Sequence, residues 1–176
     1  MVQAGRELAA RGVVTATFDF PYVIAGRKVP DRGRVLEEAW RQAIAAARAE
    51  PSMRGLPLFL GGKSMGGRIA AQVVASGVDG AHGLVFLGYP LHPAGKPEQR
   101  RDRHLADIRV PMLFVQGSRD QLGTVEEIRA LLPSLRHAEL FAVEGGDHSF
   151  KVPARVANAA DVLASVFDAV AAFVGA

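Results

Sequence analysis

Hydrophobic positions along the chain fall into two patterns. The first is a short run that is apolar throughout: residues 56–60, 83–88 and 111–117, with a briefer one at 140–143. Runs without polar alternation predict strands covered on both faces, as in a parallel sheet flanked by helices. A fifth run, residues 13–18, is rich in Val and Thr and predicts another strand, closed by Asp19-Phe20-Pro21-Tyr22. The second pattern recurs every three to four residues. It predicts a helix over residues 2–11, with Leu8 and Ala9 opposite Arg6, Glu7 and Arg11 and with Gly12 as its C-cap. A longer helix follows Asp31 as N-cap, with one stripe formed by Val35, Leu36, Ala39, Trp40, Ala43, Ile44 and Ala47, and Pro51 stops it. Further helices are predicted after Ser64 (Ile69, Ala70, Val73, Val74) and over residues 124–132. The last, over 154–174, is expected to bury Val156, Ala160, Leu163, Val166, Phe167, Val170 and Phe173. Strand and helix alternate, so the fold class is α/β, a mostly parallel sheet with helices on both faces, in one domain over residues 1–176.

The run at 56–60 passes into Gly61-Gly62-Lys63-Ser64-Met65-Gly66-Gly67-Arg68 before helix spacing resumes. Gly62 to Gly66 fits G-x-S-x-G, in which a sharp strand-to-helix turn lifts a serine hydroxyl above the sheet. Glycines suit such a turn because a Cβ beside it would collide with the adjoining strand or helix. Two other readings compete. A phosphate-binding loop built on Gly62-Lys63-Ser64 would need a glycine at position 57, which is proline, and would place Leu58, Phe59 and Leu60 in the phosphate cradle. Alternatively, Ser64 is only a helix N-cap.

In parallel sheets chemistry collects at the carboxyl ends of strands. Ser64 follows one strand, Asp120 follows Val115-Gln116-Gly117-Ser118-Arg119, and His148 follows the short strand in Glu144-Gly145-Gly146-Asp147-His148. A serine hydroxyl needs an imidazole to take its proton and a carboxylate to orient that imidazole, and Ser64, His148 and Asp120 supply the three roles. Taken singly, Asp120 could close a turn and His148 could be a solvated loop residue. Their order after successive strands favours a triad. Asp147 is expected to be a turn residue, His82, His104 and His137 to lie on the surface, and His92 to line a pocket.

Composition narrows the class without naming a substrate. With 176 residues, 49% of them hydrophobic, the chain can bury a sizeable core. No apolar run is long enough to span a bilayer and no leader pattern opens the chain, so a cytoplasmic protein without a membrane partner is expected. Zero cysteines exclude disulfides, a thiol nucleophile and thiolate metal sites. The net charge is +3, and all basic residues but Lys28, Lys63, Lys96 and Lys151 are arginine. Aromatic residues do not interleave them as a nucleic-acid stacking platform requires, so no nucleic-acid partner is expected. The clusters at 27–34 and 100–103 are solvated loops or a rim attracting an anionic substrate. No cofactor or metal is implied, and the oligomeric state is left open.

Four ordered motifs, the Ser64 turn, Gly88-Tyr89-Pro90-Leu91-His92-Pro93, Gln116-Gly117-Ser118-Arg119-Asp120 and Gly145-Gly146-Asp147-His148-Ser149-Phe150, resemble the α/β-hydrolase superfamily. They are closest to its small dienelactone-hydrolase-like branch, which includes bacterial relatives of a nonspecific-lethal chromatin-complex subunit, and Phe18-Asp19-Phe20-Pro21-Tyr22 also matches that group. The resemblance implies a hydrolase fold with Ser64 as nucleophile, Asp120 as acid and His148 as base, and it implies no particular substrate. An oxyanion hole of this type takes one backbone N–H from the residue after the nucleophile, here Met65, and one from a loop following an earlier strand. That loop and its strand have no counterpart in the chain. The resemblance places the missing strand between residues 13–18 and the Ser64 strand, and the expectation is a start recorded about 25 or more residues too far downstream. Tyr22, Lys63, Tyr89 and His92 are candidate pocket residues, with Lys63 positioned for an anionic substrate. The reading is a serine hydrolase for a small carboxylic ester or thioester; the alternative is a weak or inactive hydrolase-fold module that binds protein.

Overall fold

In the computed structural model, which describes residues 2–175, the sheet has four parallel strands in sequence order. They are β1 (Phe59–Lys63), β2 (Gly83–Leu87), β3 (Met112–Gly117) and β4 (Ala138–Val143). Six helices accompany them: α1 (Val2–Ala9), α2 (Pro21–Ile24), α3 (Gly33–Ala49), α4 (Met65–Ala75), α5 (Val125–Leu131) and α6 (Ala159–Val174). Lys63 pairs with Leu87, Leu87 with Val115 and Val115 with Phe141, so all four strands end along one edge.

The two central strands, apolar at every position but Gln116, are covered on both faces, as their composition predicts. Leu60, Leu84, Phe86, Met112 and Phe114 pack with Leu36, Trp40 and Ile44 of α3, Ile69 of α4 and Ile128 of α5. On the opposite face Val85, Leu113, Val115 and Val143 meet Val166 and Val170 of α6, with Leu8 of α1 at the margin. Each such side chain contributes about 1.5–3 kcal/mol on leaving water. Arg11, just beyond α1, joins Glu7 at 3.0 Å and Asp168 of α6 at 2.6 Å, tying the two helices together.

Residues 13–18 do not form the expected strand. The segment is extended, yet among the described residues its only regular backbone bond runs from Val13 N–H to the Leu8 carbonyl, and Thr15 Oγ1 donates to the Gly5 carbonyl at 3.4 Å. β propensity expresses packing against cross-strand neighbours, and this segment has none among the described residues. Its place is fixed by aromatic contacts, with Phe18 edge-on to Trp40 at 4.8 Å and to Phe20 at 5.3 Å. Several other expectations shift. Asp31 does not cap α3; Arg32 holds the cap position without a side-chain bond, while Asp31 accepts from Arg27 at 2.7 Å. Val35 lies outside the buried stripe. β1 begins at Phe59 and continues through Lys63, later than the apolar run suggests. α6 begins only at Ala159, where the Asn158 side chain accepts from Ala160 N–H, leaving Val156 and Ala160 exposed.

Candidate active site

The turn between β1 and α4 holds Ser64 at φ 52°, ψ −120°, a backbone conformation rarely tolerated by a side-chain-bearing residue. Two glycines permit it. A Cβ on Gly62 would lie 2.8 Å from Gly67 N, and one on Gly67 would lie 2.7 Å from Gly62 O, so only bare backbones allow α4 to approach β1 this closely. Gly66, the last glycine of the five-residue motif, has open space, and the steric demand falls one residue later. Because β1 runs through Lys63, Gly61 and Gly62 are spent on the strand and no phosphate loop forms. Ser64 occupies the N-cap position of α4 but makes no capping bond with its side chain. The Met65 N–H opens the helix, where amides have no intrahelical acceptor.

Asp120 is completely buried in the loop after β3. Its Oδ2 accepts from His148 Nδ1 at 2.7 Å and from Gln116 Nε2 at 2.8 Å, and its Oδ1 accepts from Leu122 N–H at 2.9 Å. With Nδ1–H donated to the carboxylate, the lone pair of His148 lies on Nε2. The imidazole leans on Gly88, where a Cβ would stand 3.2 Å from Nδ1. Leu87, the residue before Gly88, accepts the Ser64 amide at 3.1 Å, so serine and histidine border the same corner of β2. Among the described residues the Ser64 hydroxyl makes no hydrogen bond.

The acid and histidine loops are stitched together. Ser118 N–H bonds the Val143 carbonyl at 3.0 Å, Arg119 N–H bonds the Gly146 carbonyl at 2.8 Å, and Ser118 Oγ accepts from Gly145 N–H at 2.8 Å. Gly117 lies at the crossing, where a Cβ would strike the carbonyls of Gly146 and Asp147. Asp147 is a turn residue, as expected: its Oδ1 accepts from Ser149 N–H at 2.7 Å and Lys151 N–H at 3.0 Å. Desolvation pushes its carboxyl up, but those amides outweigh it and the net shift is downward.

The four candidate pocket residues separate. Lys63 Nζ donates to the His148 carbonyl and lies 5.5 Å from the centre of the Phe150 ring, a brace beneath the histidine loop. Burial lowers its affinity for a proton, against the opposing pull of Asp120 and Asp147. Tyr22 is half-buried and stacks on Phe20. Tyr89 is wholly buried and therefore a core residue rather than a pocket wall; its hydroxyl donates to the Arg101 carbonyl at 3.0 Å and meets His104 Nε2 at 3.2 Å. Desolvation drives the Tyr89 phenol strongly upward, so it stays neutral. His92 is also buried, with Nδ1 on the Pro93 carbonyl at 2.9 Å and Nε2 on Glu127 at 3.1 Å. His104 is half-buried rather than on the surface. None of the four lines either of two open grooves, of about 470 and 360 Å³, the first of which runs between α6 and the β3–β4 edge.

Sequence reasoning overlooked Gln116. It is fully buried at the end of β3 and makes three kinds of contact: Oε1 accepts from Tyr89 N–H at 2.8 Å, and Nε2 donates to Asp120 Oδ2 and, at 2.6 Å, to the Gly123 carbonyl. A single polar side chain inside an otherwise apolar strand was the available signal. Among the described residues no group of three or more His, Asp and Glu is arranged to hold a metal.

The fold recurs among solved structures. An alpha-beta serine hydrolase homologue from Coxiella burnetii superposes with a TM-score of 0.72 at 20% identity, covering 94% of this chain and 73% of the other. Dienelactone hydrolase from Anabaena variabilis gives 0.72 at 18% identity, covering 97% and 75%. Monoacylglycerol lipase from Paleococcus ferrophilus gives 0.74 at 15%, covering 98% and 87%. At these identities the likeness is one of fold, and the four-stranded sheet here is shorter than the complete hydrolase sheet. No helix among the described residues is long and apolar enough to cross a membrane. Family membership rests on the sequence itself: residues 1–175 match the alpha/beta hydrolase domain family, and the chain belongs to it.

Proposed function

We propose that the chain is a serine hydrolase acting on a small carboxylic ester or thioester. Ser64 Oγ attacks the acyl carbon, and His148 Nε2 takes the hydroxyl proton, then delivers it to the leaving alcohol or thiol. Asp120 holds the imidazole in the tautomer with the proton on Nδ1 and offsets the charge of the imidazolium. The Met65 N–H, at the positive end of α4, donates to the developing oxyanion. Water then repeats the cycle on the acyl-serine. The observation that carries this reading is the 2.7 Å bond between His148 Nδ1 and a buried, fully coordinated Asp120, on the same sheet edge as a serine at φ 52°. Membership of a hydrolase family supports it.

A second reading, a noncatalytic module on the same fold, draws on the Ser64 hydroxyl, which no described residue engages. Comparing wild type with Ser64→Ala on p-nitrophenyl acetate and with a fluorophosphonate probe separates the two. Hydrolysis and labelling that both vanish in the variant support the hydrolase; equal rates with no labelling of wild type leave the module.

A further inference from the structure

We propose that Lys63, the residue before the serine, is a positioning residue that sets the reach of His148 toward Ser64; this role rests on the hydrolase reading above. The sheet itself holds base and nucleophile apart. Ser64 follows β1 and His148 follows β4, and the order β1-β2-β3-β4 puts three strand spacings, about 14 Å, between those strands. The histidine loop therefore has to fold back across the ends of β3 and β2. Two glycines let it cross: a Cβ on Gly117 would strike the Gly146 carbonyl, and one on Gly88 would stand 3.1 Å from the His148 carbonyl oxygen.

Lys63 fixes the far end of that crossing. Side chains alternate along β1: Leu60 packs with α3 and α4, whereas Phe59 meets Phe173 of α6 at 5.8 Å. Lys63, four residues after Phe59, shares the α6 face. From there its Nζ donates to the His148 carbonyl, the same group that borders Gly88, and lies 5.5 Å from the centre of the Phe150 ring. Among the described residues this is the one hydrogen bond that joins the β1–α4 segment to residues 144–151. The other hydrogen bonds from those residues to the rest of the chain end on Ser118, Arg119 and Asp120. The loop moves as a stiff unit, because Phe150 holds φ 62° with its N–H on the Asp147 carbonyl at 2.9 Å and its ring buried with Val85, Leu113 and Val115. An ammonium on a carbonyl is a charge-assisted bond, and the aromatic face adds to its hold. Asp120 thus sets the tautomer of His148, and Lys63 sets how far across the sheet edge the imidazole is carried. Without the lysine the Asp120–His148 pair persists but is no longer tied to the strand that ends at the serine.

The test compares kcat/KM for methyl butyrate and for p-nitrophenyl butyrate, which share an acyl group. A methoxide leaving group needs the proton that His148 delivers, whereas p-nitrophenolate departs almost unaided. Lys63→Met keeps an unbranched stem and loses the donor. With p-nitrophenyl butyrate its kcat/KM is expected to fall about 10- to 100-fold, through kcat rather than KM, as a small displacement of the base requires. The ratio of methyl to p-nitrophenyl ester is expected to fall by about a further 10-fold, because the misplaced imidazole also fails as the acid. Both esters sample the same folded population, so loss of folded protein leaves this ratio unmoved. Lys63→Gln, polar but shorter, gives the same reading if Lys63→Met fails to fold, and Lys63→Arg, which restores a charged donor, is expected to recover most of the ratio. An unchanged ratio in Lys63→Met, where wild-type hydrolysis vanishes in Ser64→Ala, overturns the role of the lysine alone. Hydrolysis of neither ester by wild type overturns the hydrolase reading, and the positioning role falls with it.

Discussion

Gln116 offers the most direct way to ask whether the buried polar network positions the acid or merely fills the core. Gln116→Leu keeps the volume nearly constant but removes an acceptor from Tyr89 N–H and donors from Asp120 Oδ2 and the Gly123 carbonyl, all in a region without solvent. Each buried polar group left unpaired costs about 1–3 kcal/mol, and some relaxation is certain, so the expected destabilisation is about 3–5 kcal/mol. That is a large share of the ~5–15 kcal/mol by which domains of this size are stable. The effect on chemistry is separate. Asp120 keeps His148 and Leu122 as partners but loses the donor that fixes its Oδ2, and a displacement near 1 Å at a catalytic group costs about 100-fold in rate. We therefore expect kcat on p-nitrophenyl acetate to fall about 10- to 100-fold per folded molecule, with KM changing far less. Urea unfolding gives the stability, and fluorophosphonate burst titration counts competent sites. Gln116→Glu sharpens the comparison, since it retains the acceptor for Tyr89 but faces Asp120 with a second carboxylate. If Gln116→Leu lowers the urea midpoint while kcat per folded molecule stays within about 2-fold of wild type, the positioning argument is refuted.

The elbow glycines make opposite predictions. Gly67→Ala would place a Cβ 2.7 Å from Gly62 O and 3.1 Å from Phe86 Cδ1, and overpacking of this kind costs about 1–3 kcal/mol or more. Gly66→Ala meets no atom within 4 Å and gains up to about 1 kcal/mol of helix propensity. Urea midpoints that rank the two variants the other way would refute the close-approach account of the turn. Stability should also respond to pH through His104. Burial, then Arg68, depress its pKa below the ordinary 6.5, so the unfolded chain binds more protons and stability falls as pH drops from about 6.5 toward the folded value. His104→Gln should flatten that stretch of the urea-midpoint profile. Asp147, depressed on balance by the Lys151 and Ser149 amides, stabilises the fold above about pH 3.9, and that contribution is lost as pH falls through its folded value. Asp147→Asn should remove it in the same titration; profiles that overlay wild type would contradict both assignments.

The parts of the fold that could be read from sequence are those fixed by local chemistry. β2 and β3 are apolar at nearly every position because both faces are covered, and composition alone identifies them. α5 is likewise announced by Thr124 and Glu127, whose reciprocal bonds form a capping box. Residues 13–18 carry equally strong β composition but lie unpaired, because a strand exists only through a neighbour and a neighbour is not a local property. Gly66 and Gly67 are indistinguishable in sequence; only the approach of α4 to β1 decides which one must lack a Cβ. The positions of Asp120 and His148 after strands place their loops at one sheet edge, where the two side chains are hydrogen-bonded. Gln116 was missed because its role depends on three partners, at positions 89, 120 and 123, that converge only in the folded chain. A post-strand position reveals that Tyr89 and His92 lie near the sheet edge but not that both side chains turn inward.

The strain at Ser64 has to be balanced by the structure around it. A non-glycine residue at φ 52°, ψ −120° costs about 1–3 kcal/mol and would relax unless its surroundings over-determined it. Three contacts oppose relaxation. The Ser64 N–H bonds the Leu87 carbonyl, anchoring the turn to β2. Gly62 and Gly67 bring the two arms of the turn together with no room for either to swing. Trp40 Nε1 donates to the Gly66 carbonyl at 3.1 Å, so α3 holds the first turn of α4 from the side, and Phe18 in turn packs edge-on against that indole. The unpaired segment at 13–18 thus reaches the candidate nucleophile through two aromatic side chains. Ser64 makes no capping bond that would explain its conformation, and within the turn the positive φ of a side-chain-bearing residue falls on the candidate nucleophile itself. A purely structural serine would gain nothing from that position, whereas a nucleophile gains access to an acyl carbon, and on that difference the hydrolase reading of the turn rests.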